Sequence, residues 1–332
     1  MKNRGIRNES QVLFFDQIQK VLPANYALVD VISDLLEVSI DSAYRRIRGA
    51  KPIDFEEAIK LCKHFQISMD AFTNVTIDKN YIRCRYSPLR LDNSDDYLTW
   101  IQIVSDNFES LILAPESEIF MSTVDVPLFN LFAFKELTLF KLFSWVKTVY
   151  HYAAEYETFV QGIENIQAIN NMHEKIAKNY PLVASTEIWT ANTIDAILRL
   201  IGYHSEMKHF RDEKFPLLLC EQLLELLNTL QKWAEKGIKG SKEMPFRFYV
   251  SEMDVANTFV LFKTPKNSNC MVRLYTINGL SISDERFCEE TEKWIRSAAQ
   301  RSMLISGASE KARFKFFESQ KQKIRYLMDS LI

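Results

Sequence analysis

Four cationic side chains crowd into one short stretch, Arg45, Arg46, Arg48 and Lys51, with Asp41 the only acid among them and the hydroxyls of Ser39 and Ser42 close by. A guanidinium presents a planar fork of donors that fits phosphate oxygens and the acceptor edge of guanine, and a carboxylate can accept from cytosine. This is chemistry for holding and reading a nucleic acid. The usual carriers of reaction chemistry are missing. The chain has no GxxxxGK[ST], GxGxxG, GxSxG or HExxH, and only eight glycines from which to build phosphate-cradling loops. The densest polar cluster elsewhere runs from Tyr203 to His209, and its two histidines, His204 and His209, lack the i, i+4 spacing that puts two metal ligands on one helical face. No enzyme, no cofactor and no metal is therefore expected.

The cations need a helix to carry them. Leu28, Val31, Ile32 and Leu35 recur at helical spacing and Val38 closes the run. Ser39 is placed to cap a second helix through Asp41, Ala43, Arg45, Ile47 and Arg48, which stops after Gly49. Before this pair, Val12, Phe15, Ile18 and Leu22 give a bracing helix that ends near Pro23. After it, Asp54 and Glu57 form a capping box for a helix whose inner face is Phe55, Ala58, Leu61, Cys62 and Phe65, and Ser68 caps a last short helix, MetAspAlaPhe. Five helices would complete a small all-helical domain, assigned to residues 1–75, with a boundary where the periodicity lapses from Thr73 to Asn80.

The order of these elements over roughly residues 11–73 resembles the phage-repressor (Cro-like, lambda-repressor-like) helix-turn-helix family of transcriptional regulators. The resemblance makes residues 28–36 the supporting helix, with Ile32 and Leu36 as core and Ser33 where the helices cross. It makes residues 38–49 the recognition helix, with Ala43 inward. It implies docking in the major groove of double-stranded DNA, with Asp41, Ser42 and Arg45 reading bases and Ser39, Arg48 and Lys51 holding phosphates. Arg46 belongs to the same DNA-facing set by its charge. Two positions differ from the family pattern: its usual turn glycine is Glu37 here, and Arg46 stands where an apolar residue is usual. Ile47, sharing a face with Ala43, is expected to take over that packing.

Residues 81–332 read as a larger helical region with a small antiparallel sheet, so the fold class expected is mostly α with α+β character. Tyr81 to Tyr86 alternates as a strand, with Arg83, Arg85 and the later Arg90 expected to solvate its edge. Ser94 opens a helix striped by Tyr97, Ile101, Val104, Phe108 and Leu111, and residues 118–124 form a strand. Residues 127–150 read as one aromatic-rich helix, either core, the lining of an effector pocket or a homodimer face. Helices over 158–179, 186–201 and 216–236 follow. PheArgPheTyrVal, ThrPheValLeuPhe and MetValArgLeuTyrThrIle are expected to form a three-stranded antiparallel meander. Two helices from Ser283 and Ser309 close the chain, the last carrying Lys311, Arg313, Lys315, Lys321, Lys323 and Arg325 on an expected solvated face. This region is assigned to dimerisation, ligand sensing or both, making a homodimer and a small-molecule effector the expected partners.

A net charge of −2 gives no global positive field, so nucleic-acid contact must come from the local patch. Five scattered cysteines without CxxC spacing fit a reducing cytoplasm. No apolar run suggests a signal peptide or a membrane span. The function expected is that of a sequence-specific DNA-binding transcriptional regulator. The alternative is a protein-interaction module, docking or antitoxin-like, that does not bind duplex DNA.

Overall fold

A computed structural model of the chain describes residues 9–22, 26–65, 67, 82, 84–87, 94–150, 152–253, 255, 257–274 and 278–331. The polypeptide divides into two units, Met1–Tyr81 and Ile82–Ile332. In the first, helical periodicity becomes α1 (Glu9–Val21), α2 (Leu28–Leu36), α3 (Ile40–Ile47) and α4 (Phe55–Phe65). Phe14, Phe15 and Ile18 of α1 meet Ile32, Ala43 and Leu61 in its core. The fifth helix expected at MetAspAlaPhe and the boundary expected from Thr73 to Asn80 lie outside the described residues. The capping box is present: the Glu57 N–H donates to Asp54 Oδ1 at 2.8 Å and the Asp54 N–H to Glu57 Oε2 at 3.2 Å. Phe55, expected on the inner face, is instead 68% exposed. It sits in the first turn, ahead of the point where α4 meets the core.

The second unit is built on a sheet, and here the structure corrects the sequence reading. The sheet is neither small nor purely antiparallel. Nine strands among the described residues are β1 (Arg85–Ser87), β2 (Glu118–Ser122), β3 (Ala184–Thr190), β4 (Ile238–Lys239), β5 (Met244–Ser251), β6 (Phe259–Lys263), β7 (Ser268–Arg273), β8 (Gly279–Ile282) and β9 (Met303–Leu304). They run in the order β1-β8-β7-β6-β2-β3-β5-β4, with β9 pairing to β5. β2 pairs with β3, and β3 with β5, in parallel; the other pairings are antiparallel. Parallel neighbours need crossovers. α6 (Leu128–Leu131), α7 (Lys135–Tyr150), α8 (Tyr156–Gln161) and α9 (Ile166–Asn179) link β2 to β3. α10 (Asp195–Glu206) and α11 (Phe215–Lys236) lead from β3 towards β5.

The expected meander is consequently broken. β6, β7 and β8 pair in sequence, but β5 lies beyond β2 and β3 and never touches β6. The segment expected to begin a helix at 186 starts as β3, and the helix itself begins at Asp195 and runs past Gly202. The single aromatic helix expected over 127–150 is two, α6 and α7.

Period-two alternation assigns the faces of the sheet. Ile119, Met121, Trp189, Phe246, Phe248, Val260 and Phe262 enter the main core with α7, α9, α10, α11, α5 (Ser94–Leu113) and α13 (Glu310–Ser330). Phe120, Ile188, Leu261 and Cys270 face the other way, under Cys288, Ile295 and Ala299 of α12 (Glu285–Gln300). Every residue of α7 from Leu137 to Val146 is buried. Over that stretch the aromatic segment is core, whereas Phe129 and Phe132 at its α6 end line a cavity. No helix among the described residues is long and apolar enough to cross a membrane. The last helix is less solvated than expected. Arg313 is buried and donates to the carbonyls of Ile305 and Ala308 at 3.0 Å each, while Lys323 holds Asp195 at 2.6 Å.

One charge network is sealed within this core. Lys239 is 1% exposed, lies 3.5 Å over the Tyr180 ring, donates to Ser185 Oγ at 2.7 Å and stands 3.8 Å from Glu187 Oε1. The next residue must be glycine: a Cβ on Gly240, at φ 68°, would lie 2.3 Å from the Pro181 carbonyl oxygen. Burial pushes the Lys239 ammonium down to about 7, against the opposing pull of Glu187 and Glu118. Because the folded chain releases this proton before the unfolded chain does, stability gains from Lys239 as pH rises above about 7. Between about pH 7 and 8, below the thiol range, we expect a slope of at most about 1.4 kcal/mol per pH unit that Lys239→Met removes, checked by denaturation of both proteins across that window.

Candidate nucleic-acid interface

The turn between α2 and α3 sets the angle at which the cationic helix is displayed. Glu37 ends α2 in the left-handed region, at φ 54° and ψ 44°. A side chain there costs about 1–2 kcal/mol that glycine would not. The turn is secured by a reciprocal pair of bonds: the Val38 N–H donates to the Ser33 carbonyl at 3.0 Å, and the Ser33 hydroxyl donates to the Val38 carbonyl at 2.6 Å. Ser33 thus binds the turn as well as fitting between the helices. Ser39 then caps α3, its Oγ accepting from the Ser42 N–H at 3.3 Å. Gly49, at φ 70°, closes the helix.

The seven residues singled out from sequence separate by exposure. Ser39, Asp41, Arg45 and Arg48 are exposed, Ser42 and Lys51 are half-buried, and Arg46 is buried. The Arg45 guanidinium has no hydrogen bond or ion pair among the described residues, and Arg48 lies over the Tyr44 ring at 5.5 Å. Arg46 turns inward. Its Nη2 meets Glu57 Oε1 at 2.6 Å and its Nε meets Glu57 Oε2 at 3.1 Å, a two-pronged pairing of fork with carboxylate. Its Nη1 donates to Ser42 Oγ, to which Lys51 Nζ is also within 3.4 Å. The hydrogen bond that Arg46 donates to Glu57 holds the guanidinium above its usual pKa, outweighing burial.

Arg46 therefore fills the usually apolar position with its stem and satisfies its charge internally, while Ile47 still packs at the core's edge. Ser42 is shared: its hydroxyl is occupied by Arg46 and Lys51, so what it presents outward is limited. Two residues matter here that the sequence did not single out. Gln11 of α1 donates from Nε2 to the carbonyls of Arg46 and Lys51, both at 2.7 Å, and accepts from the Ile53 N–H at 3.0 Å, clasping the exit of α3. Glu57 was legible as a cap but not as the partner of Arg46. Beside the cations, Ile40 and Tyr44 are 55% and 45% exposed, one turn apart on α3.

The polar cluster near the end of α10 is a different arrangement. His204 Nδ1 and His209 Nδ1 lie 2.8 Å apart, and burial, with His209 and Lys147 adding to it, pushes His204 down to about 4. No group of three or more His, Cys, Asp or Glu that could hold a metal ion occurs among the described residues.

Removing one member of the buried pair strands the other. Arg46→Ala is expected to destabilise the helical unit by about 3 kcal/mol, and Glu37→Gly to stabilise it by up to about 1 kcal/mol, both read from hydrogen exchange of α3 and α4 amides in the full chain. No protein-family model, no curated protein and no solved structure matches the chain.

Proposed function

We propose that the protein is a sequence-specific DNA-binding transcriptional regulator of the repressor-like helix-turn-helix kind, with α3 entering the major groove and the second unit serving dimerisation or effector sensing. The observation that carries this reading is the exposed Arg45 guanidinium, without a partner among the described residues, on a short capped helix that a tight turn holds against its supporting helix. Asp41 one turn earlier and Arg45 are the side chains suited to base edges, Arg45 to guanine and Asp41 to cytosine. Arg48, Lys51 and Ser39 flank them as phosphate contacts, which fix register without reading sequence. Arg46 is reassigned: it orients α3 through Glu57 rather than meeting DNA. The exposed Ile40 and Tyr44 suit the thymine methyl group.

The same apolar pair favours a second reading, a protein-docking face, which predicts no affinity for duplex DNA of any sequence. Fluorescence anisotropy against genomic duplex fragments separates the two. We expect binding that weakens as salt rises, Arg45→Ala to lose about tenfold or more with relaxed preference at one base position, and Arg48→Ala to weaken all sequences alike while lowering the salt slope by about one. Binding indifferent to salt, or unaltered by Arg45→Ala, removes groove docking by this helix. A homodimer would present two copies of α3 to paired half-sites. A monomeric mass for the full chain at working concentration removes that part.

A further inference from the structure

Beneath the exit of β2, between α5, α6 and the β6–β7–β8 strands, lies a cavity of about 100 Å³. Its walls are apolar, made chiefly by Trp100, Phe129, Phe132, Val260, Phe262 and Met271. One end is charged. Asp125 Oδ2 receives Lys141 Nζ at 2.7 Å and Arg273 Nη1 at 3.0 Å, while its Oδ1 accepts from the Val126 N–H at 2.8 Å. Asp125 is 5% exposed; burial alone would raise its pKa, but Lys141 and Arg273 hold it below the usual carboxylate value.

Among the described residues the lining therefore carries two cations against one anion. Lys141 is 8% exposed, and among the described residues its ammonium makes one hydrogen bond, to Asp125, of the three it can donate. A buried charge left short of partners is costly. A purely structural ion pair would need only one of the two cations. An apolar cavity of roughly 150 Å³ takes up benzene, so this one suits a body no larger than a small ring or a short branched chain.

We propose that this cavity binds a small monocarboxylate with such an apolar body, its carboxylate set against Lys141 and Arg273 and its body against the Phe129, Phe132 and Met271 wall. This deepens the effector-sensing part of the proposed function, and it is measured without DNA, so either reading can fail while the other stands. Charge decides the ligand class: the free cationic excess selects one negative group, and the dry wall rejects a second polar end.

The probes are benzoate and 3-methylbutanoate, each compared with its neutral amide by calorimetric titration of the full chain, with the Met271 methyl signal reporting location. At least one acid should bind with a Kd below about 1 mM, its amide about tenfold or more weaker, and the Met271 methyl should shift. Arg273→Gln should weaken the acid about tenfold and leave the amide unchanged. This variant is chosen because Arg273 is part-exposed and its loss leaves the Asp125–Lys141 pair in place. Val260→Phe, which fills the cavity from β6, should abolish binding of acid and amide together. Acid and amide binding alike, acid binding unaltered by Arg273→Gln, an unmoved Met271 methyl, or no binding of either acid to the folded protein at about 10 mM would each overturn the proposal.

Discussion

The display of the cationic helix depends on the pairing of Arg46 with Glu57. Glu57 acts twice, as the reciprocal cap of α4 and as the carboxylate that receives the Arg46 fork. α3 is therefore keyed to the first turn of α4 by charge and to the core by Ala43 and Ile47. Gln11 of α1 fixes its exit by holding the carbonyls of Arg46 and Lys51. With both ends of α3 set, Arg45 is left to project from a rigid support, which lowers the entropy lost when such a side chain is immobilised against a ligand. A repressor-like helix with an apolar residue at position 46 would gain core burial but lose this electrostatic key.

The larger unit follows a different constraint. Its sheet must be covered on two faces, and the coverage is unequal: six long helices and their connections pack on one side, while α12 alone seals the other. The parallel trio β2, β3 and β5 explains this. Right-handed crossovers drive helices onto a face, and the antiparallel β6–β7–β8 extension adds strands without adding cover. The charged end of the cavity lies near the join between the two regimes, where Asp125 leaves β2, Lys141 rises from α7 and Arg273 ends β7.

Local signals were legible in the sequence and distant ones were not. Ser39 as cap, Gly49 as stop, the Asp54–Glu57 box and the stripe on α5 are all decided within a few residues, and each appears where the spacing puts it. The Arg46–Glu57 contact joins two helices and the Gln11–Lys51 contact joins a helix to a distant loop, and nothing in either local pattern names the partner. β3 was misread because Ile194, Ile197 and Ile201 recur at helical spacing and no proline or glycine separates them from the strand and turn before them. The meander was misread because strand order is not encoded in strand pattern: MetAspValAlaAsn looks like a tight turn in sequence, yet β2 and β3 stand between β5 and β6 in the sheet. Lys141 interrupts an aromatic-rich stretch of sequence, and its charge is buried in protein against Asp125.

The unequal cover of the sheet makes the cysteines a layered clock. Cys270 lies under α12 and Cys288 on the buried face of that helix, their thiols pushed up in pKa by burial, so a thiol reagent reaches them when that one helix lifts. Cys220 is locked in the thick layer and Cys84 is exposed, giving a slow and an immediate reference within the same chain. The order in which these thiols are modified thus reports which side of the sheet breathes first, without a probe being introduced.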